Sequence, residues 1–269
     1  MNASPADPRP LQVRDLRAMK RRGEKISSLT AYDASFGALI DQTGVDAILV
    51  GDSLGMVIQG HASTLPVSIA DMVYHSRIVS AARRRALVIA DMPFASYATQ
   101  EQALDTAARL LREGSAHMVK LEGPKPGVIR FLTEQGVAVC GHLGLQPQSV
   151  HLLGGYKIQG RGETAARRIL DDALLIEQAG AECLVLECVP AALGAAVAKQ
   201  LEIPVIGIGA GPDCDGQVLV LYDMLGISAG AQPRFSKNFL TAAGGIAAAI
   251  RHYHEAVKTR QFPGPEHSY

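Results

Sequence analysis

The sequence lacks an excess of charge of either sign. Its 269 residues include 26 basic and 26 acidic side chains, so the formal net charge is zero. Proteins that bind nucleic acids or anionic membranes usually carry a basic surface, and we therefore expect no nucleic acid and no membrane among the partners. Two short basic clusters, Lys20-Arg21-Arg22 and Arg83-Arg84-Arg85, are interpreted as solvated helix ends rather than as binding patches.

Long apolar runs are missing as well. None approaches the roughly 18 residues that a transmembrane helix requires. The proline-containing segment before Leu11 has no apolar stretch of the kind found in signal peptides. We predict a flexible leader over residues 1–12, a single domain over residues 13–269, and a cytoplasmic location.

Short motifs for cofactors and metals are scarce. No CxxC pair occurs, and neither a G-x-G-x-x-G turn nor a G-x-x-x-x-G-K-[ST] loop follows the early apolar runs, which weakens the Rossmann and P-loop interpretations. The four cysteines are interpreted as small buried residues of a reduced compartment, not as disulfide partners or zinc ligands. They are Cys140, Cys183, Cys188 and Cys214.

What the sequence does contain is a set of apolar runs that end in titratable side chains. Ala47-Ile48-Leu49-Val50 is followed by Gly51-Asp52-Ser53. Four later runs end in the same way, at Asp91, Glu122, His142 and Glu187. Short apolar runs bounded by turn residues are typical of strands buried on both faces. Because an acid is costly to bury unless it is paired or binds a cation, the five endings predict that the strand ends converge on a site.

Such strands alternate with helical segments about eight times, which favours a closed (β/α)8 barrel of the α/β class over a doubly wound sheet. We expect a short helix over residues 13–22 that plugs the bottom of the barrel. Residues 217–222 are the predicted eighth strand, and residues 238–258 the predicted last helix, interrupted by Gly244-Gly245. Residues 143–162 are predicted to be a long irregular loop that helps to cover a binding pocket.

Three of the acids should lie near one centre in such a barrel. Asp52, Asp91 and Glu122 end three consecutive strands, and neighbouring strands lie about 5 Å apart. Oxygen ligands of this type favour a hard cation, with magnesium first and manganese or calcium next. Such an ion could chelate a 2-oxo acid and stabilise its enolate. Because side chains alternate along a strand, Val50 should share a face with Asp52, and Lys120 with Glu122.

Three further residues complete this hypothesis. Lys120 could neutralise a substrate carboxylate or a developing oxyanion. Glu187 could act as a separate base, and Ser53 offers a hydroxyl and a backbone N–H beside the metal.

Simpler interpretations stay open for each of these residues taken alone. A strand-end acid can be a loop cap or a salt-bridge partner, and Lys120 with Glu122 can be a structural pair. His142, which lies beside glycines, can satisfy a backbone carbonyl. The run Gly207-x-Gly209-x-Gly211 can bind phosphate, or it can simply permit a tight turn.

Longer motifs along the chain add a second line of reasoning. They occur in order and include Val50-Gly51-Asp52-Ser53-Leu54-Gly55-Met56, Met118-Val119-Lys120-Leu121-Glu122-Gly123, Gly141-His142-Leu143-Gly144-Leu145, Leu186-Glu187-Cys188-Val189-Pro190 and Ile206-Gly207-Ile208-Gly209-Ala210-Gly211. In these motifs the chain resembles the 3-methyl-2-oxobutanoate hydroxymethyltransferase (ketopantoate hydroxymethyltransferase) family.

The resemblance implies a (β/α)8 barrel related to the phosphoenolpyruvate/pyruvate superfamily. It implies transfer of a hydroxymethyl group from 5,10-methylenetetrahydrofolate to 3-methyl-2-oxobutanoate, which gives 2-dehydropantoate, and assembly as a large homo-oligomer, often a decamer. The implied residue roles are Mg²⁺ ligands at Asp52, Asp91 and Glu122, substrate contacts at Asp52, Ser53, Asp91 and Lys120, a proton acceptor at Glu187 and active-site support at His142. Two alternatives stay open: a metal-dependent lyase or aldolase for another 2-oxo acid without folate, and a non-catalytic barrel that binds small molecules.

Overall fold

Eight parallel strands form a closed barrel in which the strands follow one another in sequence order. The structure, a computed structural model, describes residues 9–230 and 232–269. The strands are β1 (Ile26–Thr30), β2 (Ala47–Val50), β3 (Leu87–Asp91), β4 (Met118–Glu122), β5 (Val139–Gly144), β6 (Cys183–Glu187), β7 (Val205–Ile208) and β8 (Gly216–Leu219). Strand β1 pairs with both β2 and β8, which closes the barrel. The predicted (β/α)8 architecture is confirmed.

The described residues form eleven α-helices, most of which surround the barrel. They are α1 (Val13–Arg21), α2 (Ala34–Gln42), α3 (Leu54–Val57), α4 (Ile69–Ala82), α5 (Gln100–Arg112), α6 (Pro126–Glu134), α7 (Val150–Leu153), α8 (Glu163–Gln178), α9 (Ala191–Gln200), α10 (Leu221–Leu225) and α11 (Ile246–Lys258). Short 3₁₀ turns occur at Pro147–Ser149 and Pro265–His267. The strands pair in parallel and are buried on both faces, as apolar runs of this kind predict.

Local signals explain where two of the outer helices begin. At the start of α4, the hydroxyl of Ser68 accepts the N–H of Asp71, and the Asp71 carboxylate accepts the N–H of Ser68 in return. At the start of α5, the hydroxyl of Thr99 accepts the N–H of Gln102 at 3.2 Å. Both contacts satisfy N–H groups that the first helical turn leaves without partners.

Helix α1 closes the amino-terminal end of the barrel. Leu16 is 1% exposed and borders a small void inside the barrel together with Ile26 and Ile206. The predicted plug is therefore confirmed. The leader predicted for residues 1–12 falls largely on residues 1–8, which lie outside the described residues. After them, the N–H of Leu11 donates to the carbonyl of Arg85 at 2.8 Å.

Three predicted segments differ in extent from the structure. The last helix begins only at Ile246, because Gly244 adopts a left-handed φ of 70° and interrupts any helix that starts earlier. The eighth strand covers Gly216–Leu219, and Tyr222 belongs to α10 instead. Residues 143–162 are not irregular throughout, since β5 continues to Gly144 and a 3₁₀ turn and α7 follow.

The basic clusters are not simply solvated. The Nζ of Lys20 lies 2.8 Å from the carboxylate of Asp215. Arg85 Nη2 lies 3.0 Å from Asp46, whose side chain is buried. The interpretation as solvated helix ends is wrong for these two residues, because their long side chains reach acids beneath the barrel.

The four cysteines are buried and free, as predicted. None of the helices in the described part of the chain combines the length and the apolar content that a bilayer-spanning segment requires.

Candidate active site

A cavity of about 550 Å³ opens at the carboxyl ends of the strands. Every residue predicted for the site lines this cavity, and all of them lie in or just after strands β2–β6: Asp52, Ser53, Asp91, Lys120, Glu122, His142 and Glu187. The structure therefore brings the predicted residues together at one rim of the barrel, which is the rim that carries active sites in barrels of this type.

Strand alternation explains only part of this convergence. Lys120 and Glu122 both belong to β4 and both line the cavity, as alternation predicts. On β2, however, Leu49 lines the cavity with Asp52, and the expectation that Val50 would share its face is wrong. The strand ends at Val50, so its side-chain alternation no longer sets the direction of Asp52.

Lys120 pairs with Asp91 on the neighbouring strand. Its Nζ lies 2.7 Å from Oδ1 of Asp91, while Oδ2 of Asp91 accepts the backbone N–H of Asp52 at 3.0 Å. Burial alone would lower the pKa of Lys120, but Asp91, Glu122 and Asp52 together raise it above its ordinary value. Lys120 therefore stays charged, and its ion-pair partner is Asp91 rather than Glu122.

Gln148 connects two of the acids. Its Nε2 donates to Oδ2 of Asp52 at 2.8 Å, and its backbone N–H donates to Oε2 of Glu122 at 3.0 Å. Its Oε1 accepts the hydroxyl of Tyr97 at 2.5 Å. Sequence reasoning missed Gln148 and Tyr97, because neither ends an apolar run and a glutamine in a loop carries no local signal of such a role.

Burial raises the pKa of Asp52 well above its ordinary value, and Asp91 and Glu122 raise it further by repulsion. The charge of Lys120 and the hydrogen bond from Gln148 oppose this increase. A cation placed beside Asp52 would therefore favour its charged form.

His142 lies between two glutamates. Its Nδ1 is 3.5 Å from Oε1 of Glu122 and 3.2 Å from Nζ of Lys120, and its Nε2 is 3.2 Å from Oε2 of Glu187. Burial and Lys120 lower the pKa of His142, but the two glutamates outweigh them and raise it to about 9. When His142 is charged, both ring nitrogens carry a hydrogen. In the neutral tautomer whose Nδ1 accepts from Lys120, the hydrogen is on Nε2. An N–H group is therefore on the Glu187 side of the ring in both protonation states. His142 contacts site side chains and is not simply the partner of a backbone carbonyl.

Comparison with known proteins decides the family. A family model described as ketopantoate hydroxymethyltransferase matches residues 10–265. The chain is 58% identical over 261 residues to the 3-methyl-2-oxobutanoate hydroxymethyltransferase of Nitrosococcus oceani, which covers 96% of this chain and 99% of that protein. The chain belongs to the ketopantoate hydroxymethyltransferase family.

Solved structures with little sequence identity share the fold of this family member. A phosphoenolpyruvate phosphomutase from Streptomyces platensis is 12% identical, with a TM-score of 0.60 over 80% of this chain and 83% of that one. A 2,3-dimethylmalate lyase of the PEP mutase/isocitrate lyase superfamily is 16% identical, with a TM-score of 0.56 over 94% of this chain and 88% of that one. These likenesses show the barrel fold.

The cavity of this family member also has an apolar wall. Its apolar lining residues include Leu49, Val185, Ile208, Val218 and Val220. On the charged side, the hydroxyl of Ser53 lies 2.8 Å from that of Tyr32. The site can therefore hold a small molecule with a polar end and a branched apolar end.

The glycine-rich exit of β7 supports the tight-turn interpretation. Gly209 and Gly211 adopt left-handed φ angles of 63° and 84°. A Cβ on Gly211 would lie 2.6 Å from the Cβ of Ala191 at the start of α9. Glycine is therefore required for the turn and for close packing against α9, whether or not an anion binds nearby.

The site carries more negative than positive charge. Its charged side chains are four carboxylates and two cationic groups: Asp52, Asp91, Glu122, Glu187, Lys120 and His142. Two negative charges are left in excess when all four carboxylates are ionised and both cationic groups are protonated. Buried carboxylate oxygens with this imbalance suit a divalent hard cation.

The arrangement of the oxygens fits a hydrated cation better than a closed cage. Oδ1 of Asp91 makes no well-aligned hydrogen bond to any described residue. Within residues 9–230 and 232–269, however, no three Asp, Glu, His or Cys side chains are grouped ready to hold a metal ion. Mg²⁺ commonly binds through one or two carboxylates and keeps several waters. The assignment of Asp52, Asp91 and Glu122 as ligands stays a prediction.

Proposed function

We propose that this chain transfers a hydroxymethyl group from 5,10-methylenetetrahydrofolate to 3-methyl-2-oxobutanoate and so produces 2-dehydropantoate. The names of its full-length relatives support the acceptor and the reaction class. One structural observation carries the proposal: Glu187 and the Lys120–Asp91 pair line the same, mostly apolar cavity from different strands. The folate donor rests on the family resemblance.

Asp52, Asp91 and Glu122 would hold a Mg²⁺ ion, since their oxygens supply hard ligands and their charges exceed those of Lys120 and His142. When bound, the ion would supply Lewis-acid stabilisation of negative charge on the keto oxygen of the substrate.

The chain itself orients the oxo acid. Lys120, kept charged by its acidic neighbours, would attract the substrate carboxylate or the developing oxyanion. Asp52, Asp91 and Ser53 line the same side and would contact the polar end of the substrate. The branched apolar end would lie against Val185 and neighbouring apolar residues, which exclude water there.

Glu187 would remove the proton from C3 of the oxo acid. Its side chain is 13% exposed, and Nε2 of His142 lies 3.2 Å from its Oε2. The resulting enolate carbon would form a bond to the one-carbon unit of the donor, and water would supply the hydroxyl oxygen of the product. Both C–N bonds of that unit would break, and the proton taken by Glu187 and one proton of the water would pass to the two nitrogens, so that tetrahydrofolate leaves. Glu187 thus acts as general base.

The proposal is tested by product analysis. With 3-methyl-2-oxobutanoate, 5,10-methylenetetrahydrofolate and Mg²⁺ present, mass spectrometry should detect 2-dehydropantoate, and omission of the donor or chelation of the metal should prevent its formation. A lyase or aldolase for another 2-oxo acid would make no 2-dehydropantoate under these conditions, and that result would contradict the proposal.

We also propose a homo-oligomer, a decamer by the family resemblance, in the cytoplasm. Large apolar side chains on three outer helices support self-association: Tyr74 is 54% exposed, Leu175 45% and Ile246 40%. The free, buried cysteines fit a reducing compartment. Light scattering coupled to size-exclusion chromatography measures the assembly, and a monomer at micromolar concentration would contradict the decamer.

A further inference from the structure

Gln148 is a buried, neutral residue that donates hydrogen bonds to both Asp52 and Glu122. Only 5% of the surface of Gln148 is exposed. Besides its contacts to Asp52 and Glu122, its Nε2 donates to the carbonyl of Met92 at 3.0 Å. The side chain therefore spans the exits of β2 and β3, and its backbone reaches the end of β4.

The direction of the Gln148 amide follows from its partners. Nε2 faces two acceptors, the Asp52 carboxylate and the Met92 carbonyl, and Oε1 faces the Tyr97 hydroxyl. A flipped amide would place Oε1 against both acceptors, which costs two hydrogen bonds. Tyr97 also anchors this arrangement to β4, since its oxygen accepts the N–H of Glu122 at 3.3 Å.

These contacts occupy one oxygen of each acid. Gln148 takes Oδ2 of Asp52 and Oε2 of Glu122, so Oδ1 of Asp52 and Oε1 of Glu122 are not bonded to it. Because the two acids repel each other, they would separate without groups that bind both. Gln148 holds them together without adding a charge.

We propose that Gln148 is a positioning residue for a divalent cation, and that Tyr97 orients its amide. The inference rests on the proposed function, because that function supplies the cation. Groups that hydrogen-bond to metal-binding carboxylates typically affect metal affinity by about 10- to 100-fold. Gln148 does so here from the 3₁₀ turn Pro147–Ser149, which links the site to the loop that follows β5.

The first test measures cation binding alone. Mn²⁺ serves as the probe, and the free ion is counted by electron paramagnetic resonance with no substrate present. We expect Gln148→Ala to weaken Mn²⁺ binding at least about tenfold and Tyr97→Phe to weaken it by a smaller factor. Gln200→Ala, on the exposed end of α9, is the matched control and should bind as the wild type does.

The second test separates positioning from a general structural role. The Mg²⁺ concentration for half-maximal turnover should rise about tenfold in Gln148→Ala, while the KM for the oxo acid changes less and turnover recovers at saturating Mg²⁺. A collapsed loop would instead lower turnover at every Mg²⁺ concentration, and that outcome would overturn the proposal.

The outcomes distinguish this inference from the proposed function. If the wild type binds Mn²⁺ and both variants bind it equally well, the role of Gln148 is disproved while the proposed function stands. If the wild type makes 2-dehydropantoate but binds no Mn²⁺, the metal and the inference both fail. If Gln148→Ala does not fold, Tyr97→Phe decides, since it removes only one hydroxyl.

Discussion

Both ends of the barrel bury acidic side chains, but the two ends differ in how many cationic partners each carboxylate has. At the amino ends of the strands, Asp46 lies 3.0 Å from Arg85 and 2.7 Å from Lys258. Ser27 adds its N–H and its hydroxyl, each at 3.0 Å from the same carboxylate. At the carboxyl ends, four carboxylates around a cavity of about 550 Å³ share one lysine and one histidine.

This difference indicates a structural role for the acid at the amino end and a binding role for the acids at the carboxyl end. The Asp46 carboxylate is matched by two cationic side chains and by two donors of Ser27, and Asp46 lines neither the cavity at the carboxyl ends nor the small void inside the barrel. Such a fully paired acid holds β1, β2 and α11 together. The opposite end keeps unmatched negative charge next to open space, which costs stability but prepares the site for a cation and a polar substrate.

The largest expected effect is on turnover at the carboxyl end. Glu187→Gln removes the proposed base but keeps the size of the side chain, so formation of 2-dehydropantoate should fall about 1,000-fold. The exposed Glu202→Gln serves as the control and should retain wild-type turnover. A Glu187→Gln enzyme with more than a tenth of wild-type turnover would exclude Glu187 as the base.

The next effect is on stability at the amino end. Asp46→Asn should lower the free energy of unfolding by about 2 kcal/mol, because it leaves Arg85 and Lys258 without their carboxylate while both can still reach water. Urea denaturation measures this loss, with the exposed Asp105→Asn as control. Turnover per folded molecule should stay near the wild-type value. A large loss of turnover would contradict the claim that the amino end serves stability and the carboxyl end serves activity.

A smaller effect of opposite sign is expected at the carboxyl end. Asp52→Asn removes one of the excess negative charges, whose repulsion by Asp91 and Glu122 raises the pKa of Asp52. In metal-free buffer the variant should be about 1 kcal/mol more stable than the wild type to urea, although it loses activity. A destabilised Asp52→Asn protein would show that its hydrogen bond from Gln148 outweighs the repulsion.

The smallest effect concerns an exposed ion pair near the plug helix. Arg9 Nη2 lies 2.7 Å from Asp15 Oδ1 and, through this hydrogen bond, lowers the pKa of Asp15 to about 2. A depressed carboxylate pKa adds stability above pH 4 that is lost as the pH falls toward 2. Arg9→Ala should therefore lower the midpoint of urea unfolding only slightly at pH 6, and the difference from wild type should shrink toward pH 2. A constant difference over this range would exclude the ion pair as its cause.

The sequence predicts the barrel and much of the site because both depend on local patterns. Buried parallel strands are continuous apolar runs, and the residues that end them must meet at one rim once the barrel closes. Asp91, Glu122, His142 and Glu187 are found in this way. Lys120 follows from alternation within β4, where the strand geometry persists.

What the sequence does not reveal depends on contacts between distant segments. Gln148 and Tyr97 lie outside the strands and take their roles from partners 25 to 96 residues away. The direction of Asp52 depends on the chain after β2, where strand periodicity no longer applies. The pairing of Asp46 with Lys258 likewise joins residues that no local pattern connects.

The central claim is that unmatched negative charge at the carboxyl end binds a divalent cation, and a Mg²⁺ titration of thermal stability tests it most directly. Mg²⁺ at about 100 times its Kd should stabilise the wild type by about 2.7 kcal/mol. It should stabilise Asp46→Asn by the same amount and Asp52→Asn far less. Equal stabilisation of all three proteins, or none in the wild type, would contradict the claim.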